Sequence, residues 1–244
     1  MEKKQTGTIT WYFCGRPPLQ IWPSAYEREI NPLAEITWLG YDCFRIKSRD
    51  VTVITDPYDK SLGLGTLNQK AEIVTISHEY PGSNKLSGIK GDPFVITGPG
   101  EYEVGGVFVT GIGSFTDKAG EDKERTKNNV FMMLMHDVVV CHLGALGHTL
   151  NAQQLEVVGD VDVLLVPVGG QLSTSKAAEV ISQVGPRIVV PMHFSGGKAA
   201  IEPDALDKFM KELGLKEWKT QDKLVVRATE SEEPMQVVVL EVRS

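Results

Sequence analysis

The sequence lacks several features that would settle its class at once. No stretch of the 244 residues approaches the roughly 20 consecutive apolar positions of a membrane-spanning helix. The early apolar segment Ile9 to Cys14 is too short for the core of a signal sequence, and no small-residue cleavage site follows it. Only three cysteines occur, Cys14, Cys43 and Cys141, and they are widely spaced. They form neither a disulfide framework nor a CxxC metal pair, which points to a reducing compartment, and a cytoplasmic location is expected. Basic excess is also missing: 25 Lys and Arg stand against 32 Asp and Glu, a net charge of -7. That balance argues against nucleic acid or an anionic membrane as the main partner. There is no Walker lysine, no GxGxxG run, no Gly-x-Ser-x-Gly elbow and no repeat of fixed period. What remains is an ordinary globular composition, 41% hydrophobic and 23% charged, long enough for one large domain or two small ones.

Residues 1–33 differ from the rest. Arg16-Pro17-Pro18, Trp22-Pro23-Ser24 and Asn31-Pro32 interrupt each short apolar run, so no helix or strand period persists. The segment is expected to be an irregular extension. Its aromatics Trp11, Tyr12, Phe13 and Trp22 suit docking on the body. The abrupt change at Ala34-Glu35 equally fits a start-site overcall, since Leu33 can be encoded by codons that bacteria also use for initiation. The folded domain is placed at 34–244.

From Glu35 onward, short β-rich runs follow one another: Glu35 to Leu39, Asp42 to Ile46, Val51 to Thr55, Ile73 to Ile76 and Phe94 to Ile96. Gly105-Gly106 predicts a two-residue hairpin turn between Glu101–Val104 and Val107–Gly111. Val130–Met135 and Val138–His142 read as two further strands. Strands without intervening helices predict antiparallel pairing. The segment 117–127 is almost wholly polar and reads as a solvated loop. The second half alternates: a helix over 150–157 with Asn151 and Gln154 spaced as a capping box, and a buried strand over 161–168. Then come a hydroxyl-capped helix over 173–183, a strand over 187–191 and an amphipathic helix from Pro203 to Gly214. Strands over 223–227 and 236–242 close the chain.

Chemistry concentrates on the loop Thr75-Ile76-Ser77-His78-Glu79-Tyr80-Pro81-Gly82-Ser83-Asn84, which leaves a buried strand. His78 is a candidate ligand and Glu79 a candidate base. Pro81-Gly82 carries the preferences of a type II turn with positive φ at Gly82. Ser77, Ser83 and Ser114 are conceivable nucleophiles without an elbow around them. Gly169-Gly170, between a strand and a helix, reads as a chain reversal.

The order of Ile36-Thr-Trp-Leu-Gly40, Thr55-Asp56-Pro57, Ser77-His78, Gly111 to Asp117, His142-Leu-Gly-Ala-Leu-Gly-His148, Val166 to Gly170 and Pro191-Met-His193 resembles the metallo-β-lactamase superfamily. The likeness is to the branch similar to ascorbate-6-phosphate lactonase and other Zn-dependent hydrolase-like proteins. The resemblance implies an α/β (α+β) fold, a four-layer αβ/βα sandwich, and ligands in a His-x-His-x-Asp-His loop and at three later positions. Carried over, His78 and His193 keep a ligand, whereas Tyr80, Gly82, Ser83, Thr116 and Ala145 do not. The resemblance also assigns Asp56 to orient a ligand histidine. Two imidazoles make a poor dinuclear site, so the leading expectation is a degenerate hydrolase homologue without metal. It would bind a small molecule or a protein and associate with itself. The rival expectation is a Zn-dependent lactonase or phosphodiesterase-like hydrolase. Its rebuilt one-metal site would be drawn from His78, His193, His142 and His148.

Overall fold

The computed structural model describes residues 34–79, 84–116, 125–194, 204–227 and 234–243. The chain divides at Asn31/Pro32, and the described residues all belong to the second unit. The irregular N-terminal extension, the Pro81-Gly82 turn and most of the polar 117–127 loop lie outside the described residues. No described helix is long and apolar enough to cross a membrane.

The first half of the domain supplies β1 (Ala34–Gly40), β2 (Cys43–Ser48), β3 (Val51–Thr55), β4 (Gln69–Lys70), β5 (Ile73–Thr75), β6 (Ile89–Lys90) and β7 (Phe94–Ile96). It continues through β8 (Gly100–Val104), β9 (Val107–Phe115), β10 (Lys127–Met135) and β11 (Val138–His142). The second half carries α1 (Ala152–Val158), β12 (Val163–Pro167), α2 (Thr174–Val184), β13 (Ile188–Met192) and α3 (Ala205–Glu212). Short strands β14 (Thr220–Gln221), β15 (Leu224–Val226), β16 (Gln236–Val237) and β17 (Val239–Leu240) finish the chain. The two large sheets have the orders β15-β1-β2-β3-β5-β7 and β16-β13-β12-β11-β10-β9-β8, and β4 pairs with β6 and β14 with β17 in two small ones.

Two-residue alternation builds the sandwich. In β10, Phe131, Met133 and Met135 enter the core between the sheets, while Val130 and Met132 face outward. Opposite them, Ile36, Trp38, Phe44, Ile46 and Ile73 close the same core from the first sheet. Burying one large apolar side chain contributes roughly 1.5–3 kcal/mol, against about 0–1 for an exposed ion pair, so the two-sheet core dominates stability. The outer face of the second sheet is covered by α1, α2 and α3, through Val158, Ala177, Val180, Ile181, Phe209 and Met210. The outer face of the first sheet is covered differently. Tyr58, Leu62, Leu67 and Ala71 lie over Leu39, Cys43, Ile54 and Val74. Among the described residues this fourth layer is irregular chain with two short 3-10 turns, Lys60–Leu62 and Leu86–Gly88, and the small parallel pair β4–β6.

That covering explains one departure from expectation. β1-β2-β3 and β8-β9-β10-β11 are antiparallel, as the run of strands predicts, but β3-β5 and β5-β7 pair in parallel. A parallel pair requires the chain to cross back over the sheet face. Here the segment carrying Tyr58, Leu62 and Leu67 does so without an α-helix. The Gly105-Gly106 hairpin forms as expected, with φ of 60° and 80°. The capping box at Asn151 and Gln154 also forms. Ser173 occupies the N-cap of α2 but makes no capping bond through its side chain.

β1, β3 and β5 run in one direction in the first sheet, as do β11, β12 and β13 in the second. The loops leaving the C-terminal ends of these six strands carry the candidate site.

Candidate functional site

Asp42 follows β1 after Tyr41, whose φ of 49° turns the chain sharply. Its carbonyl accepts Thr55 Oγ1–H at 2.8 Å and His142 Nε2 at 3.0 Å. Its carboxylate faces His193 Nδ1 at 2.9 and 3.1 Å. His193, just past β13 with φ of 58°, is pinned from behind, since its N–H donates to the Tyr41 carbonyl. Burial disfavours charge on both groups. Their mutual attraction outweighs it, lowering the Asp42 pKa and raising that of His193.

Asp56 leaves β3 with φ of 37°. Its Oδ1 accepts the Ser77 N–H at 2.6 Å and its Oδ2 the Ser77 hydroxyl at 2.5 Å. Ser77 Oγ in turn lies 2.8 Å from His78 Nδ1. With the Ser77 proton given to Asp56, His78 Nδ1–H donates to Ser77, and Nε2 keeps the free lone pair. Burial lowers the pKa of His78, which favours this neutral form. Tyr41, Asp56 and His193 are non-glycine residues in left-handed conformations around one pocket, the type of backbone strain that collects at functional sites.

One ligand atom each from Asp42, Asp56 and His78 lies within 4.8 Å of the others. His142, fully buried, spends Nε2 on the Asp42 carbonyl. Its Nδ1 stops 3.9 Å from Asp56 Oδ2 without a hydrogen-bond partner. Burial holds His142 toward its neutral form, so this Nδ1 is an unanswered lone pair. Asp56 is pushed up to about 6 by burial, with the Asp42 charge adding to the shift. Among the described residues, no lysine or arginine lines the pocket. Two buried carboxylates, neutral imidazoles and an orphaned nitrogen form a donor set that fits a divalent cation, and a mixed O/N set suits zinc or a neighbouring first-row ion.

The pocket above this cluster is about 330 Å³. Thr116, Glu79, Ala145 and Gly170 reach it, with Tyr41, Tyr58 and Leu62 as an apolar wall. Ala145 and Thr116, where the family pattern has ligands, are thus in place without offering any. Tyr80, Gly82 and Ser83 lie outside the described residues. His148 does not join the cluster. Its Nε2 accepts the Phe115 N–H at 3.2 Å, and its Nδ1 is 2.7 Å from the Thr149 carbonyl, so both nitrogens are used. Ser114 is structural, tied to Asn128 by hydrogen bonds of 3.1 and 2.7 Å.

Counting ligands at family positions alone misses Asp42. Read as the first residue of the strand run Asp42 to Ile46, it sits instead in the turn just before β2. A usable signal is that a carboxylate there sits between Leu39-Gly40-Tyr41 and Cys43-Phe44, where burial is expected on both sides. Beside His78 and His193, which the family positions single out, the structure brings two carboxylates, Asp42 and Asp56, from other strand ends.

A family model described as a β-lactamase superfamily domain matches residues 35–193, a segment that contains the whole cluster and ends on His193. A UPF0173 protein of Pyrococcus abyssi is 30% identical over 193 residues, covering 68% of this chain and 87% of that protein. A protein of Pyrococcus horikoshii named a UPF0173 metal-dependent hydrolase is 27% identical over 100 residues, 39% of this chain and 44% of its own. Among solved structures, a Thermotoga maritima protein named as a candidate Zn-dependent hydrolase aligns with TM-score 0.69 and 32% identity. The alignment covers 85% of this chain and 98% of that one. The chain belongs to the metallo-β-lactamase superfamily.

Proposed function

We propose that the protein is a hydrolase that uses one divalent metal ion, held by Asp42, Asp56 and His78, with His193 and His142 at its border. The observation that carries this reading is the cluster itself: two buried carboxylates beside imidazoles, with no lysine or arginine among the described residues lining the pocket. The names borne by the Pyrococcus horikoshii and Thermotoga maritima relatives support the same reading. It keeps the one-metal rival expectation and changes its ligands, with Asp42 and Asp56 replacing His148. A second metal is not part of it, because Ala145 brings no donor and Thr116 only a neutral hydroxyl.

The ion would supply Lewis acidity and lower the pKa of a water molecule. The chain's own residues do the rest. Asp42 orients His193 through Nδ1 and favours a free Nε2 whenever that ring is neutral. Ser77 orients His78 in the same way. Glu79 stands exposed on the pocket wall as the carboxylate able to take a proton from an attacking water. Tyr41, Tyr58 and Leu62 exclude solvent from one side. Phosphoryl transfer spreads charge over several oxygens and calls for several cations, which this pocket does not line up. A carboxylic ester or lactone, with one developing oxyanion, suits it better than a phosphodiester.

The test is hydrolysis of a panel of lactones and aryl esters by zinc-loaded and manganese-loaded protein. Turnover that disappears in Asp56→Ala and His78→Ala together with the bound metal is expected. Turnover that survives metal removal contradicts the reading. The bare Ala145 and Thr116 positions favour a second reading, a metal-free binding protein in the old pocket, for which full loss of metal would be without effect on ligand binding.

A further inference from the structure

The pocket above the cluster has a feature that a metal site alone does not require. Two tyrosine rings line it beside Asp42 and Asp56, and main-chain carbonyls engage their hydroxyls. Tyr58 donates to the Leu39 carbonyl of β1 at 2.5 Å, and Tyr41 to the Leu62 carbonyl of the covering layer at 3.4 Å. Both rings are buried and meet edge to face, with centroids 6.4 Å apart and planes at 65°. Tyr41 meets the His193 ring in the same manner, at 5.8 Å and 70°. We infer that this aromatic wall is the subsite for a flat, uncharged aromatic ring, so that the enzyme acts on lactones or esters carrying such a ring next to the scissile bond. The inference rests on the hydrolase reading above and deepens it.

With the hydroxyls tied to carbonyls, a bound group meets ring carbon held in one orientation, so the wall needs no ordering when a ligand arrives. Leu62, Pro167 and Ala145 add further apolar surface to the same pocket. Charge selects against the alternatives. Asp42, Asp56 and Glu79 line the pocket, and no lysine or arginine does so among the described residues, which leaves an anionic group without a counter-charge. A cationic group would compete with the metal for the same carboxylates. Shape selects for a flat group. Gly169 and Gly170 bring no side chain, and a Cβ at Gly170 would stand 3.6 Å from His193 Cδ2 and 3.7 Å from Nε2. The glycine therefore leaves the edge of the pocket along His193 open. A volume of about 330 Å³ lies at the small end of ligand pockets and suits a molecule of one or two rings. An aromatic ring against Tyr41 and Tyr58 gains an edge-to-face contact beyond its buried area, which a saturated ring of the same size does not.

The experiment uses zinc-loaded full-length protein and three related lactones. These are δ-valerolactone, 3-isochromanone, which adds a fused benzene ring, and the counterpart of 3-isochromanone whose second ring is saturated. Each kcat/KM is divided by the rate of hydrolysis by hydroxide, which removes differences in intrinsic reactivity. The expected value for 3-isochromanone is about tenfold above δ-valerolactone and about threefold above the saturated counterpart. Tyr58→Leu keeps apolar bulk and removes the ring face, so it should bring the aromatic and saturated lactones level. Gly170→Ala, whose Cβ meets only ordinary contacts, should lower the value for 3-isochromanone relative to δ-valerolactone. Equal values for the aromatic and saturated lactones, or a preference untouched by both substitutions, overturns the aromatic subsite and leaves the hydrolase reading standing. A second readout needs no turnover: metal-free protein titrated with phenol and with cyclohexanol, followed by amide chemical shifts. Saturable shifts at Tyr41, Tyr58 and Gly170 with phenol alone uphold the subsite even if no lactone is hydrolysed, and then only the hydrolase reading fails. Shifts with neither, or with both alike, in a protein without turnover remove it.

Discussion

Asp56 buries its carboxyl group, and among the described residues no lysine or arginine lines the pocket to offset it. Its pKa, about 6 instead of 3.8, expresses that cost. A carboxyl whose folded-state pKa is raised binds its proton more tightly when folded, so stability falls as pH rises from about 4 through 6. The shift corresponds to on the order of 3 kcal/mol in metal-free protein. Asp56→Asn keeps the shape and removes the charge. Relative to wild type, the metal-free variant should gain stability on going from pH 5 to pH 8, as read by urea denaturation at both values. An unchanged difference would mean that the buried charge is already compensated. His193 titrates in the opposite sense. Its pKa is raised because the attraction of Asp42 outweighs burial, and a protonated ring cannot bind metal. If it borders the ion, zinc affinity should climb with pH, by up to about tenfold per unit while the ring still carries its proton. Competition with a chromogenic chelator between pH 6 and 8 measures this, and a flat profile would remove His193 from the site.

Among the elements, the turn after β11 is tightly constrained. Gly144 has φ of 59°, and a Cβ there would stand 2.5 Å from Ser77 Cβ and Oγ and 2.6 Å from Asn128 Oδ1. Asn128 clasps the same turn, accepting the Ala145 N–H at 2.9 Å and donating to the Leu143 carbonyl at 3.0 Å. Gly144→Ala should cost about 2–4 kcal/mol, combining left-handed strain with overpacking, and should displace Ser77 and so weaken metal binding. Denaturation and metal retention together check it; a normal metal content in a destabilised variant would limit the effect to folding. Asn151→Ala, by contrast, removes half of the α1 capping box and should cost about 0.5–2 kcal/mol in stability with metal content unchanged. That box was legible because both partners lie within one turn. The Gly105-Gly106 hairpin and the alternation of Phe131, Met133 and Met135 were legible for the same reason, as local patterns of period and turn chemistry. Parallel pairing of β3, β5 and β7 was not, because its crossover is irregular chain with no periodicity. Asp42 and the His142 lone pair escaped for a different reason. Their roles depend on contacts 151 and 100 positions away, with His193 and with Asp42 itself.

At the scale of the whole molecule, two sheets press their inner faces together and present six parallel-running strand ends along one edge. The resemblance read from short motifs conveys this architecture, and the superfamily match agrees with it. What motif positions do not convey is that carboxylates from the loops after β1 and β3 meet His78 at one place. The cluster of Asp42, Asp56 and His78 makes the metal the central claim. The most direct test is elemental analysis of full-length protein purified without chelator or added metal. The account predicts about one zinc, manganese or iron per chain, lost in both Asp56→Ala and His78→Ala. Near-zero metal in wild type, with no thermal shift on adding zinc, would contradict it.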